Sequence, residues 1–386
     1  MFGFIQLPWW GYIVVTLVLT QITLLGVTIF LHRHQAHRSV ELHPLVSHFF
    51  RLWLWMTTGQ VTKEWAAIHR KHHAKVETID DPHSPQVHGL KKVLLEGAEL
   101  YRKEKCNPDT LERYGHGTPD DWLERNVYSK HSAAGTIALL IINMVLFGFI
   151  GITIWAVQMS WVPFFAGGVI NGVGHSIGYR NFETKDASRN IIPFGIFIAG
   201  EELHNNHHTY GTSAKFSVKW WEVDVGWCVI RLLQLFGLAK PKHLPPRATL
   251  LPGKSNVDID TLKAIITNRF QVMSDYRKTV ITPVFNEERK KQGQSLSSQA
   301  RTLLISDISL LDDKKQQVLT TVLEQHQALK KVYQLRVGLQ NIWAKSTATQ
   351  QTLLEQLHAW CKQAEESGIE ALSDFIIYLK SYIPTS

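Results

Sequence analysis

The stretch "AIHRKHHAKVETIDDPH" (67–83) sets His69, Arg70, Lys71, His72 and His73 side by side, then adds Glu77, Asp81 and His83. In a helix, side chains at i, i+3 and i+4 leave from one face about one turn apart. His69, His72 and His73 have that spacing, so the stretch offers three imidazoles together, as a metal site requires. A basic surface turn with incidental histidines is the bland alternative. Repetition weighs against it, because "EELHNNHHTY" (201–210) places His204, His207 and His208 at the same spacing.

Two further elements join these triplets. "HRHQAHR" (32–38) carries His32, His34 and His37 just after a long apolar run, and "VINGVGHSIGYR" (169–180) carries Asn171 and His175 at i and i+4 inside another. A polar pair in an apolar segment is costly, so its default reading is functional. His34 points off the face shared by His32 and His37, which leaves nine candidate imidazoles. One zinc takes about four ligands, so nine imply two metals. Imidazole suits iron, zinc, copper or nickel. Iron makes the most sense of a binuclear, nitrogen-rich site with positions open to oxygen. Asn171 would complete one metal's surroundings through a water, and Glu77, Asp81 and Glu201 are the carboxylates placed to orient ring nitrogens.

The 386 residues carry a formal charge of +8, 19 histidines and three cysteines, Cys106, Cys228 and Cys361, with no C-x-x-C pair. That cysteine pattern excludes a disulfide framework and a fused iron–sulfur domain and fits a reducing compartment. The basic charge suits an anionic membrane surface and an acidic protein partner; nothing in the sequence asks for nucleic acid.

The expected fold is all-α: a membrane-embedded helical domain (1–240) capped by the histidine clusters, a Pro-rich linker (241–257) and a soluble helical region (258–386). Residues 9–31 are long enough to cross ~30 Å of hydrocarbon, with Trp9 and Trp10 suited to its interface. They are expected to remain as an anchor, not to be removed as a signal peptide. A strong span is expected at 134–157 and a second at 161–179, where Gly167, Gly168, Gly172 and Gly174 permit close helix contact. The amphipathic stretch 223–238 is expected to lie in the interface. All ligands must meet on one side of the membrane, so the interrupted apolar stretch 45–62 cannot cross. The Lys/Arg-rich stretch 63–131 makes the shared side cytoplasmic.

Taken together, these residues resemble the membrane-bound fatty acyl desaturases, including the stearoyl-CoA branch. The family pattern H-x4-H, H-x-x-H-H, H-x-x-H-H stands here as His32…His37, His69-x-x-His72-His73 and His204-x-x-His207-His208, with N-x-x-x-H as Asn171…His175. The resemblance covers about residues 12–240. It implies a two-iron centre that uses O2 to remove two hydrogens from adjacent methylenes, commonly giving a cis-Δ9 double bond, with Trp65 lining the acyl channel. The electron donor would be a separate ferredoxin or rubredoxin with its reductase, and the setting a bacterial inner membrane with the boxes and C-terminus cytoplasmic. A hydroxylase on the same scaffold and a histidine-rich metal transporter are the competing readings.

Three features depart from the stearoyl-CoA branch. One span precedes the first box where that branch has a hairpin. His43-Pro44 is not followed by Gly-Gly, so no b5-type cytochrome is fused. Acyl-CoA-using members read E-W-A-R-D-H before the second box, whereas this chain has Glu64-Trp65-Ala66-Ala67-Ile68-His69. Losing that Arg-Asp pair favours an acyl chain on phospholipid over one on CoA. With CoA, Arg70, Lys71 or Arg180 would have to take the phosphates.

Overall fold

A computed structural model describes residues 3–291, 296–344 and 348–385. Its contacts divide the chain into two compact units, Met1–Arg180 with Asp186–Pro245, and Asn181–Lys185 with Pro246–Ser386. Both are mainly helical, with short strand pairs between segments far apart in sequence.

In the first unit, α1 (Trp9–Ala36) and α6 (Ile150–Val173) are long and apolar enough to cross a membrane. At ~1.5 Å per residue, the 28 residues of α1 run about 42 Å, beyond a ~30 Å hydrocarbon layer. The excess carries the first histidine cluster clear of the apolar run. From Gly26 onward α1 is π-helical, and His37 N–H donates to His32 O at 3.0 Å. Such i→i+5 bonding is rare and gathers at functional sites; here it brings two histidines five apart onto successive turns.

The chain then turns into α2 (Pro44–Thr58), started by Pro44 and the His43 side chain and stopped at Gly59, whose φ is +64°. Its 15 residues reach only about 22 Å. It packs against α1 and α5 (Ser132–Phe147), and Gly135 lets the Trp55 carbonyl come in close. The expected span at 134–157 is broken: α5 ends at Gly148, in a conformation (φ +64°) that favours glycine, and α6 begins at Ile150. The run "MVLFGFIGITI" is apolar throughout, so periodicity held no sign of the turn. Residues 3–5 mark the same end of the unit, since Phe4 and Ile5 N–H donate to the carbonyls of Val145 and Leu146.

Helices α3 (Thr62–Lys75), α4 (Leu90–Glu104), α7 (His204–Thr209) and α8 (Val225–Leu235) build the histidine-bearing end. α8 is started by Asp224, which accepts from Trp227 N–H at 2.9 Å. Asp224 also takes the fully buried Arg33 guanidinium at 3.0 and 3.1 Å. Removing one member of such a buried pair typically costs ~3–5 kcal/mol, so this contact ties the end of α1 to the returning chain. Val40–Leu42 pairs antiparallel with Ala239–Pro241, and Phe194–Gly195 pairs parallel with Val223–Asp224. Leu24, Phe30, Leu54, Ile170, Ile198 and Ile230 form the core.

The second unit is a helical bundle around Leu262, Tyr276, Phe285, Leu329, Leu357 and Phe375. Asp258, Ser297, Asp312 and Thr349 cap its helices. Buried polar tips are satisfied internally: Tyr276 Oη donates to Val332 O and Trp360 Nε1 to Leu335 O, both at 2.8 Å. Residues 181–185 belong to this bundle, with Ser274 Oγ donating to Asn181 O and Arg277 paired with Glu183.

Gly97 and Gly168 set how closely α4 and α6 approach. A Cβ on Gly168 would stand 2.5 Å from Leu94 O, and one on Gly97 3.1 Å from Gly167 O, so α4 and α6 meet backbone to backbone. Gly168→Val forces them apart. Overpacking of this kind costs ~1–3 kcal/mol, and the unfolding midpoint in detergent should fall by several degrees. An unchanged midpoint would contradict the close contact.

Candidate metal centre

The two H-x-x-H-H triplets each divide between two neighbouring groups. His32, His37, His69, His73 and His207 form the first; His72, His175, His204 and His208 form the second. Within each, the available ligand atoms lie within 4.8 Å of one another. On α3, His69 and His73 are one turn apart and face the first group, while His72, rotated by one helical step, faces the second. On α7 the i, i+4 pair His204 and His208 faces the second group and His207 the first. Three imidazoles leaving one face of a helix thus divide between two groups, because at ~100° per residue the i+3 and i+4 positions diverge.

Nε2 atoms face one another across each group. The separations are 3.0 Å for His32–His207, 2.9 Å for His73–His207, 2.8 Å for His37–His69 and 3.0 Å for His175–His204. Nε2 of His72 and of His208 is buried and meets no hydrogen-bond partner in the protein. Such orphaned nitrogens are what metal-ligating atoms present when only the protein is counted.

Four Nδ1 atoms are held from behind by carboxylates. His32 bonds Glu201 at 2.7 Å, His72 bonds Asp81 at 2.9 Å, His175 bonds Glu77 at 2.9 Å and His208 bonds Asp186 at 3.1 Å. An Nδ1–H donated to a carboxylate fixes the ring and leaves Nε2 free to ligate. Glu77, Asp81 and Glu201 thus stand where the sequence placed orienting acceptors. Asp186 was missed: it follows His175 by eleven residues in a polar loop, and nothing local distinguishes it. The carboxylates are themselves fixed. Glu77 accepts from Ser84 Oγ and Ala187 N–H, and Glu201 accepts from Thr28 Oγ1. Glu77 adopts φ +60°, uncommon for a residue with a Cβ.

Burial, reinforced by neighbouring histidines, pushes His37, His69, His73, His204 and His207 well below the ordinary imidazole range. Burial also outweighs Asp186 at His208, which falls to about 4. Neutral imidazole is the form that binds a metal. His34 stands apart from both groups, its Nδ1 on the Val40 carbonyl at 3.0 Å.

A cavity of about 280 Å³ adjoins the groups. Val27, Ile68, Val162 and Ala166 give it apolar walls; His32, His69, His204 and Asn171 also line it. Trp65 lies in its wall, stacked on His69 with ring centres 5.0 Å apart. Gln60, Glu64, Tyr101, Arg102 and Lys105 add polar lining. Arg70 and Lys71 are not available as phosphate ligands. The Arg70 guanidinium donates to the carbonyls of Gln35, Ala36, Tyr114 and His116, and Lys71 to Glu104 and Thr110.

Fold and geometry together define a helical protein with two adjoining all-histidine groups that could each hold a metal ion, beside a cavity of mixed apolar and polar lining. Residues 7–224 match the family model described as Fatty acid desaturase, and the chain belongs to that family; it is a fatty acid desaturase oxidoreductase. It is similar to Delta-9 acyl-lipid desaturase 1 of Arabidopsis thaliana, 30% identical over 61% of this chain and 76% of the relative. It is also similar to the sn-1 stearoyl-lipid 9-desaturase of Synechocystis sp., at 28% over 58% and 70%. A third relative is the acyl-CoA 5-desaturase AL21 of Anemone leveillei, at 31% over 57% and 68%. Residues 263–384 match a second model, described as Transposase; that match includes none of the clustered histidines.

Two outcomes follow. Asp186→Asn leaves the His208 ring without its anion, and metal affinity should fall ~10–100-fold in a chelator-competition titration. The second concerns acid. Unfolded imidazoles take up protons near pH 6.5, whereas the buried ones stay neutral until well below it. Between those values the unfolded chain binds more protons, so stability is complete above about pH 6.5 and is lost as pH falls. The unfolding midpoint of the metal-stripped protein should drop between pH 7 and 5, less steeply in a His37→Gln, His73→Gln variant.

Proposed function

We propose that the two groups bind two iron ions and that the chain uses O2 to remove two hydrogens from adjacent methylenes of a saturated acyl chain, leaving a cis double bond at the Δ9 position. The observation that carries the metal assignment is the division of nine imidazoles into a five-histidine and a four-histidine group. Five nitrogens exceed the four ligands a structural zinc takes, and an all-imidazole set suits iron. The five- and four-histidine groups would each hold one iron, with Asn171 completing the second through a water.

Bound there, the irons supply the oxygen-dependent redox chemistry that an unactivated C–H bond demands and no side chain provides. The chain's own residues hold and aim. Glu77, Asp81, Asp186 and Glu201 keep four rings in one tautomer. Trp65 and the apolar walls exclude water and receive the acyl chain. Each buried methylene contributes only ~0.8 kcal/mol, so sliding by one carbon changes little, and the shape of the cavity must set the position. Across a turnover the acyl chain gives up two hydrogens, a donor gives two electrons, and O2 with two further protons leaves as two waters. That donor is proposed to be a separate acidic ferredoxin or rubredoxin with its reductase, a match for the chain's net +8.

The carrier is proposed to be membrane phospholipid. Ala67 and Ile68, which stand where acyl-CoA-using members carry Arg and Asp, are buried and offer phosphate nothing. Two of the three relatives above are named as acting on acyl lipids. α1, α5 and α6 are proposed to cross a bacterial inner membrane, α5 and α6 as a pair that returns the chain to the same side, with Ile13, Leu17, Ile141 and Ile152 exposed to lipid and the histidine end cytoplasmic.

His207→Ala should lower double-bond formation at least 100-fold, read by gas chromatography–mass spectrometry of lipids from expressing cells, and reduce iron below two per chain. His34→Ala should keep most activity. Activity surviving in the first, or one zinc in the wild type, would overturn the reading. In membranes whose phospholipid acyl groups are labelled beforehand, the new double bond should appear in intact phospholipid with acyl transfer blocked. A strict need for added acyl-CoA would reject the carrier.

A further inference from the structure

His83 is a buried histidine that belongs to neither group. The residue is 8% exposed, its ring centre lies 4.4 Å from that of His72, and its backbone N–H donates to Asp81 Oδ1 at 3.1 Å. Asp81 is the carboxylate that takes His72 Nδ1, so one anion anchors both residues. The His83 ring lines the cavity shared by Asn171 and His204, and its Nε2 meets no hydrogen-bond partner in the protein. A buried ring with an unsatisfied nitrogen, held at its backbone by Asp81 and packed on His72 beside a cavity, calls for a partner there.

His83 shares close ligand-atom spacing with His72 and Asp81 and is not a member of the mutually close set His72, His175, His204 and His208. It therefore reaches the centre of the four-histidine group only through an intervening molecule. That group is one imidazole short of its neighbour, and Asn171 lies beside it on the same cavity. Resting on the two-iron reading above, we propose that His83 is a positioning residue which, with Asn171, holds one water against the four-histidine centre. A water that gives its lone pair to a metal has two O–H bonds left to donate. The Asn171 side-chain oxygen and His83 Nε2 are the acceptors, which makes His83 the Nδ1–H tautomer. Metal, amide and imidazole give the water three partners, the usual number for a buried one.

The test uses purified full-length enzyme loaded with Co2+, whose visible ligand-field bands report coordination, alongside turnover of the iron form. His83→Phe keeps the ring volume and removes both nitrogens. It should retain two metals per chain, shift the bands of one centre as Asn171→Leu does, and lower kcat ~10–100-fold with KM unchanged. The double variant should match either single one, because both remove the same water. His83→Gln should restore the bands in part. If His83→Phe does not accumulate, His83→Asn, too short to reach, carries the same expectation. Loss of one metal would make His83 a direct ligand, and unchanged bands would make it packing alone; either overturns the proposal. A wild-type chain that binds fewer than two metals instead fails the two-iron reading.

Discussion

Nine imidazoles are packed ring against ring in two adjoining groups. At His37, His69, His73, His204, His207 and His208, burial and neighbouring histidines disfavour an added proton. The carboxylates of Glu77, Asp81, Asp186 and Glu201 complete that constraint, each holding one ring from behind. They lie on the Nδ1 side, so the Nε2 atoms point inward. This arrangement of neutral rings, outward anions and inward lone pairs is the condition the rest of the first unit serves.

Serving it takes elements from across the chain. The π-helical end of α1 supplies His32 and leads directly to His37; α3 and α7 supply three rings each; His175 follows the end of α6. Their relative placement depends on contacts that carry no chemistry. Gly97 and Gly168 let α4 lie on α6 at backbone distance, and the buried Arg33–Asp224 pair fastens the end of α1 to the start of α8. Arg70 fastens the first histidine turn to residues 114–116 through carbonyls alone. A cation that looks free in sequence is thus consumed by architecture.

The division of each triplet into two-plus-one gives the site its economy. Two short helices, six histidines in all, bridge both groups, so the two centres are held at a spacing set by helix geometry and not by loop conformation. The cavity meets them from the side, with Trp65 stacked on His69 and Asn171 beside His204. The cavity and the clustered histidines thus share walls.

Much of the site is local, and to that extent the sequence alone determined it. Histidine spacing of three, four and five residues is a property of neighbouring positions on a helix, so the nine rings that gather in two groups and the exclusion of His34 from them could be read without coordinates. Glu77, Asp81 and Glu201 were legible for the same reason, lying within a few residues of histidines. Tertiary structure alone decided which ring joined which group, because that depends on how α3 and α7 face each other. It also brought in Asp186 from a polar loop, consumed Arg70 and Lys71 in structural contacts, and joined residues 181–185 to the C-terminal bundle. The turn at Gly148 was hidden because an apolar run has the same periodicity on either side of a break. His83 was visible as a residue but silent as to role, since an unpaired nitrogen is defined by everything that surrounds it.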